Sequence, residues 1–357
     1  MSALAAVRPG SRRAARPVLV LAILAAGALA AAVASLGLGA VPIAPGRVLR
    51  ILAEGRPAGA LDPALARDAS IILDIRLPRT LIGLLVGASL AAAGALLQGL
   101  FRNPLADPGL VGVSSGSALG AALVIVLGHG LVAGPLPFPL LPAAAFLGAL
   151  AATFLLYAIA TRRGRTSIAT MLLAGIALAA LAGAGTGFLA FVSDDRQLRD
   201  LTFWTLGSLG GATWTKLGTV AVPLLLCLAG APLLGRALNA LVLGEAEAFH
   251  LGVAVQRAKR LTILAVAVAV GTSVATAGLV GFVGLVVPHL IRLSVGPDHR
   301  LLLPASALAG GTLLIAADIA ARLVVAPAEL PLGIVTALFG APYFLWLLLR
   351  RGSELDA

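Results

Sequence analysis

Ten apolar stretches dominate the chain, at residues 17–39, 78–100, 109–128, 138–161, 167–192, 217–234, 261–283, 284–295, 300–325 and 331–349. Most match the ~20 residues that a helix needs to cross the hydrocarbon of a bilayer. No water reaches backbone groups there, so each segment must bond to itself, as a helix does. The pattern predicts an all-α polytopic membrane protein with about ten spans. Composition agrees: 60% of the residues are hydrophobic and 11% charged, against about 45–50% and ~25% in soluble domains. A soluble enzyme, a disordered chain and a fibrous protein are excluded. The run 284–295 is too short to cross unless it extends over 281–297 or is partly buried in protein. The first run contains a small-residue site, Ala32-Val33-Ala34, but exceeds the ~7–15 residues of a signal-peptide core, and is read as a helix.

The formal charge is +11. In a chain of this class it reads as arginines in cytoplasmic loops, not as affinity for nucleic acid. With ten spans and the N-terminus inside, one side holds Arg8, Arg12, Arg13, Arg16, Arg102, Arg162, Arg163, Arg165, Arg236, Arg257, Lys259, Arg260, Arg292, Arg300, Arg350 and Arg351. These are 16 of the 26 basic residues. Most of the rest lie in or beside one long loop, 40–77. The bias predicts both termini in the cytoplasm. Residues 1–16 and 351–357 are then tails around a single membrane domain, 17–350. In the loop, Val48, Leu49, Ile51, Leu52, Leu61 and Leu65 suggest amphipathic helix on the outer surface. A single cysteine, Cys227, excludes an intrachain disulfide.

Two motifs recur in register. Residues 87–94 (GASLAAAG) and 271–278 (GTSVATAG) share G-x-S-x-A-x-A-G. Residues 140–148 (LLPAAAFLG) and 302–310 (LLPASALAG) share L-L-P-A-x-A-x-x-G. Each pair is five spans apart. An odd offset places the halves, about 78–192 and 261–349, in opposite orientation, as in many transporters.

Chemistry is sparse. The only lysines, Lys216 and Lys259, follow Thr215 and Ala258, so no G-x-x-x-x-G-K-[ST] phosphate loop exists. His129, His250, His289 and His299 are isolated, which leaves no H-x-x-x-H pair for a metal. Asp318 stands four residues before Arg322 and can pair with it on one helix face; a proton site in an ion-coupled carrier is the competing use. Gln98 reads as glue between helices. Gly175, Ala179, Gly183 and Gly187 form a small-residue ridge, either a close crossing, a subunit seam or a wall beside a path.

Three segments carry a family resemblance: RLPRTLIGLLVGASLAAAGALLQGLFRNPLADPGLVGVSSGS at 76–117, GLVGFVGLVVPHLIRLSVGPDHR at 278–300 and ADIAARLVVAPAELPLGIVTALFGAP at 317–342. They resemble the FecCD family of ATP-binding-cassette (ABC) permeases, which import vitamin B12, iron–siderophores or heme. The resemblance covers about residues 70–350. It implies a type II importer permease of ten helices per subunit, as in the vitamin B12 permeases. A second copy of the chain lines the path, two ATPase subunits bind the cytoplasmic face, and a periplasmic binding protein delivers substrate across the bacterial inner membrane. ATP and Mg would belong to the ATPases, and the permease itself would hold no cofactor and no metal.

The resemblance also implies roles. The segment 236–260 matches the coupling helices that dock on the ATPase, with Leu243, Phe249 and Leu251 as apolar anchors and Glu245 and Glu247 as polar contacts. An amphipathic helix on the membrane is the alternative, against which the two acids argue. Arg76, Arg79 and Arg322 match arginines that meet acidic residues of the binding protein; headgroup contact is the alternative. The inner gate falls near Ile168 and Ala169, where cobalamin permeases carry a polar pair, and Gly175, Ala179 and Gly183 continue the path. Residues 194–214 are most similar to hemin permeases. Arg196 and Arg199 suit the two propionates of heme, with Phe203 and Trp204 available for stacking. An anionic iron–siderophore fits the same charge, and Asp194, Asp195 and Asp200 could instead close a salt-bridged loop.

Overall fold

The computed structural model describes residues 12–55, 63–131, 140–162 and 165–355. In chain order the helices are α1 (Arg12–Gly37), α2 (Pro45–Glu54), α3 (Pro63–Ser70), α4 (Leu77–Phe101), α5 (Val113–Leu131) and α6 (Leu140–Ala160). A hairpin of two short strands follows, β1 (Thr161–Arg162) and β2 (Arg165–Thr166). Then come α7 (Ile168–Val192), α8 (Asp195–Leu206), α9 (Trp214–Gly230), α10 (Gly235–Leu243), α11 (Glu245–His250), α12 (Val255–Ala277), α13 (Val283–Val295), α14 (His299–Leu323) and α15 (Leu332–Leu355). Among the described residues seven helical rods are long and apolar enough to cross a membrane, and three shorter apolar helices, within α5, α13 and α15, join them. Together they account for the ten predicted runs. The loop 40–77 is helical as α2 and α3, followed by a wider turn over Ile71–Arg76.

The short α13 is the predicted exception. Its first seven residues, Val283–His289, are buried in protein, so its length is not set by the bilayer. The segment 236–260 holds α10, α11 and the first turns of α12, which starts at Val255, ahead of the apolar run that begins at 261. Arg257, Lys259 and Arg260 resemble a loop by hydropathy. Lys259 is nevertheless buried, because an acid on α11 meets it.

The helix α4 is the centre of the bundle. Every residue from Ser89 to Phe101 is buried, as expected of a helix that is apolar all round. Lipid gives apolar helices no reason to leave it, so close packing must hold them, and glycine permits that. The two repeated motifs do this reciprocally. In the first motif, Gly87 of α4 lies against the Gly310 carbonyl of α14, which carries the second motif of the other half. In the other direction Gly271 of α12 lies against Ala149 and Phe146 of α6. Each half thus lays its first motif on the second motif of the other, as an inverted repeat requires.

The tightest crossing is α4 on α13, where a side chain at Gly94 would run into the Gly284 backbone. Overpacking costs ~1–3 kcal/mol even where neighbours can move, and here the obstacle is a main chain. Gly94→Leu should therefore lose the monodisperse peak in size-exclusion chromatography in mild detergent. Gly183→Leu, with nothing within 4 Å of its new Cβ, should keep it. A well-behaved Gly94→Leu protein with wild-type melting would contradict this crossing.

Candidate functional site

At one end of the bundle, α10 and α11 form a short elbow around Gly244, whose φ of 131° favours glycine. Leu243, Phe249 and Leu251 are 66%, 69% and 64% exposed. Three large apolar side chains together on a helical elbow form a patch suited to a protein partner. A groove of about 630 Å³ runs beside them, lined by Arg165, Phe249, His250 and Gln256 among others.

The two acids of this segment do different work. Glu247 is exposed. Glu245 is not a free polar contact: its carboxylate accepts from Lys259 Nζ at 2.6 Å. The same ammonium donates to the Thr166 carbonyl at 2.8 Å, and Lys259 is only 1% exposed. The Thr166 N–H donates to Gln256 Oε1 at 3.2 Å, and the Thr161 and Thr166 hydroxyls share a bond of 3.0 Å. One buried lysine thus clasps α11, α12 and the β1–β2 hairpin that leads into α7. Sequence reasoning missed this clasp, since nothing in the spacing of residues 166, 245 and 259 announces it.

A second junction lies at the same end. Asp298 caps α14 through the Arg300 N–H and accepts from Asn239 Nδ2 of α10 at 2.6 Å. These bonds hold its carboxyl below the usual range. Deeper in, Gln98 donates to the Leu285 carbonyl at 3.2 Å and accepts from Arg292, the interhelical glue expected of it.

The predicted path residues follow α7. Ser167 caps the helix by accepting from the Thr170 N–H; Ile168 and Ala169 occupy its first turn. The small-residue ridge is not one seam. Gly175 is buried beside Gly112, whereas a methyl group added at Gly183 or Gly187 would meet nothing within 4 Å. Four-residue steps drift around a 3.6-residue helix, so the ridge winds from a packed face to an open one. Leu173, Ile176, Leu181 and Phe188 of α7 are exposed as well.

At the opposite end, α8 lies after α7. Asp194 builds a capping box with Gln197, its Oδ1 accepting from the Arg196 and Gln197 N–H groups. Arg196 and Arg199 are exposed, and among the described residues neither guanidinium has an ion-pair partner. Phe203, 65% exposed, shares their face at i, i+3 and i+7. Trp204 does not join it. Its ring packs against the buried clusters around Ala122, Leu189, Ala145 and Ala275, so the expected aromatic pair reduces to Phe203.

The three arginines read as rim charges are buried: Arg76 at 6%, Arg79 at 7% and Arg322 at 6% exposure. Arg79 donates to Asp318 at 2.8 Å and to both oxygens of Glu329 at 2.9 Å. Arg322 pairs with Asp318 at 3.0 Å, the predicted i, i+4 contact, and donates to the Ser35 hydroxyl at 2.9 Å and the Leu38 carbonyl at 2.8 Å. Arg76 donates to the Leu36 and Val41 carbonyls at 2.7 and 2.6 Å. These guanidinium groups staple the end of α1 to α4 and α14. Asp318 has two arginine partners, which removes the carboxylate that the ion-coupled carrier would need. A small cavity of about 230 Å³, lined by all three arginines and Glu329, opens above them. Glu329, partly exposed, and Ser35 had no sequence signal.

Comparison with known proteins fits this arrangement. The FecCD transport family matches residues 21–350. The hemin transport system permease protein HmuU of Yersinia pestis is 50% identical over 294 residues, 80% of this chain and 84% of that protein. The cobalamin import system permease protein BtuC of Halobacterium salinarum is 50% identical over 283 residues, 79% of this chain and 74% of that protein. A solved structure described as an inward-facing conformation of a metal-chelate type ABC transporter superposes with a TM-score of 0.80 at 35% identity, covering 93% of this chain and 99% of that one. The chain belongs to the FecCD transport family, and is an integral-membrane permease subunit of an ABC importer.

Proposed function

We propose that the chain is the permease of a heme importer of a bacterial inner membrane. It works as a homodimer with both termini in the cytoplasm. Two ATPases engage the elbow of α10 and α11. A periplasmic binding protein docks at the other end, above the cavity of Arg76, Arg79 and Arg322. The energy comes from ATP and Mg on the ATPases, and the permease supplies two states that bind substrate differently. Bonds within the chain already hold the three arginines, so docking by acidic residues must share or replace Glu329.

The observation that carries the heme reading is the face of α8. Two guanidinium groups, unpaired among the described residues, and an exposed phenyl ring lie one above the other. That array suits a flat, apolar ring with two carboxylates. Among the described residues no carboxylate, Asp194, Asp195 and Asp200 included, forms an ion pair with either guanidinium. The similarity to the hemin permease points the same way, while the equal similarity to a cobalamin permease makes the test one of substrate chemistry.

The test compares heme with its dimethyl ester in vesicles holding permease, ATPase and binding protein. A charged hydrogen bond is worth about 1.5–3 kcal/mol, so Arg196→Ala/Arg199→Ala should slow heme uptake about tenfold or more. The wild type should carry the diester poorly, and the double variant should no longer discriminate. Equal wild-type uptake of both compounds would remove the propionate argument. Uptake of an iron–siderophore but not heme would replace the substrate.

A further inference from the structure

Lys216 has no part in the coupling elbow. It stands in the first turn of α9, and among the described residues no carboxylate pairs with it. Its ammonium lies where two cavities meet. The deeper one is a groove of about 450 Å³ between α6, α9 and α12. The shallower one, about 250 Å³, reaches Ser208, Trp204 and Phe203 of the α8 array. The helices flanking the groove turn apolar side chains outward: Leu147 of α6, Val222 of α9 and Leu264 of α12 are 61%, 61% and 55% exposed. The groove therefore belongs to the lipid-facing surface.

Its lining is graded. At the top is the ammonium. Further in, Thr272 is 5% exposed and among the described residues its hydroxyl has no hydrogen-bond partner. Below that the walls are Phe146, Val220 and Pro223. A cation at membrane depth needs a counter-charge, and a buried hydroxyl needs a partner. Trp214, a half-exposed tryptophan two residues before Lys216, donates its indole N–H to the Leu73 carbonyl at 2.9 Å. Tryptophans of this kind mark the headgroup level.

We propose that this groove is a binding site for an anionic phospholipid. The phosphodiester meets Lys216, an ester carbonyl accepts from the Thr272 hydroxyl, and one acyl chain lies along Phe146, Val220 and Pro223. The site makes lipid charge, and not only lipid thickness, a determinant of how α6, α9 and α12 pack.

Native mass spectrometry of the detergent-purified permease tests it, using phosphatidylglycerol and phosphatidylcholine with the same acyl chains. The wild type should retain phosphatidylglycerol about tenfold better, as expected for one charged contact. Lys216→Gln should retain the two equally, and Lys216→Arg should keep the preference. Thr272→Val should weaken retention of both lipids while leaving their ratio unchanged. Equal retention of the two lipids by the wild type would overturn the proposal. So would an undiminished preference in Lys216→Gln, and so would displacement of phosphatidylglycerol by heme, which would assign the groove to substrate.

Discussion

Asp318→Ala should lower the unfolding free energy by ~3–5 kcal/mol, the usual effect of removing one partner from a buried ion pair. Asp318 is 1% exposed and lies between two guanidinium groups, Arg79 at 2.8 Å and Arg322 at 3.0 Å. Without it, Arg79 keeps only Glu329, and Arg322 keeps Ser35 and backbone carbonyls. Two cations then face each other with one carboxylate between them. Glu329→Gln should cost much less, about 1 kcal/mol or below, because that side chain is 41% exposed and water can take its place. Thermal unfolding of both variants in one detergent at fixed pH makes the comparison. If the three arginines were free rim charges, neither substitution would matter to stability. Equal melting of Asp318→Ala and wild type would restore that view.

Residue types and periods reveal the architecture well and the electrostatics poorly. Apolar runs of about twenty residues fix the spans, because hydrocarbon tolerates little else. The glycine motifs predict where helices cross, since few residues besides glycine admit a backbone at the Gly87–Gly310 and Gly94–Gly284 contacts. Leu243, Phe249 and Leu251, singled out from the sequence, are all exposed in the structure. Charge is different. An arginine near a helix end reads as solvent-facing whether or not a partner stands opposite. The partners here come from far along the chain: Glu329 lies 250 residues from Arg79, and Ser35 lies 287 from Arg322. Lys259 failed to show itself for the same reason. Hydropathy counts it as a loop residue, while Glu245 and the Thr166 carbonyl make its burial favourable.

Lys259→Met should separate ATP hydrolysis from transport. The clasp joins the elbow proposed to meet the ATPase to the hairpin that leads into α7, through one ammonium with contacts of 2.6 and 2.8 Å. Methionine follows the lysine chain to within one atom and keeps most of the packing, but bonds to neither partner. Glu245 is 41% exposed on its side chain, so water can solvate it and the elbow should keep its fold. The apolar patch of Leu243, Phe249 and Leu251 lies outside the clasp and should still hold the ATPase. Hydrolysis in the assembled complex should then stay within about twofold of wild type. Transport should fall by ~10² or more, the factor that corresponds to about 3 kcal/mol of lost linkage between the two elements. Glu245→Gln should behave in the same direction, and Lys259→Arg should recover part of the uptake because it can reach the same two oxygens. The triple variant Leu243→Ala/Phe249→Ala/Leu251→Ala should fail earlier, by losing the ATPase from the purified complex. The decisive measurements are subunit co-purification, ATPase rate and uptake on the same preparations. Wild-type uptake by an assembled Lys259→Met complex would show that the movement reaches α7 by another route, most directly through the Gln256 contact to the Thr166 amide.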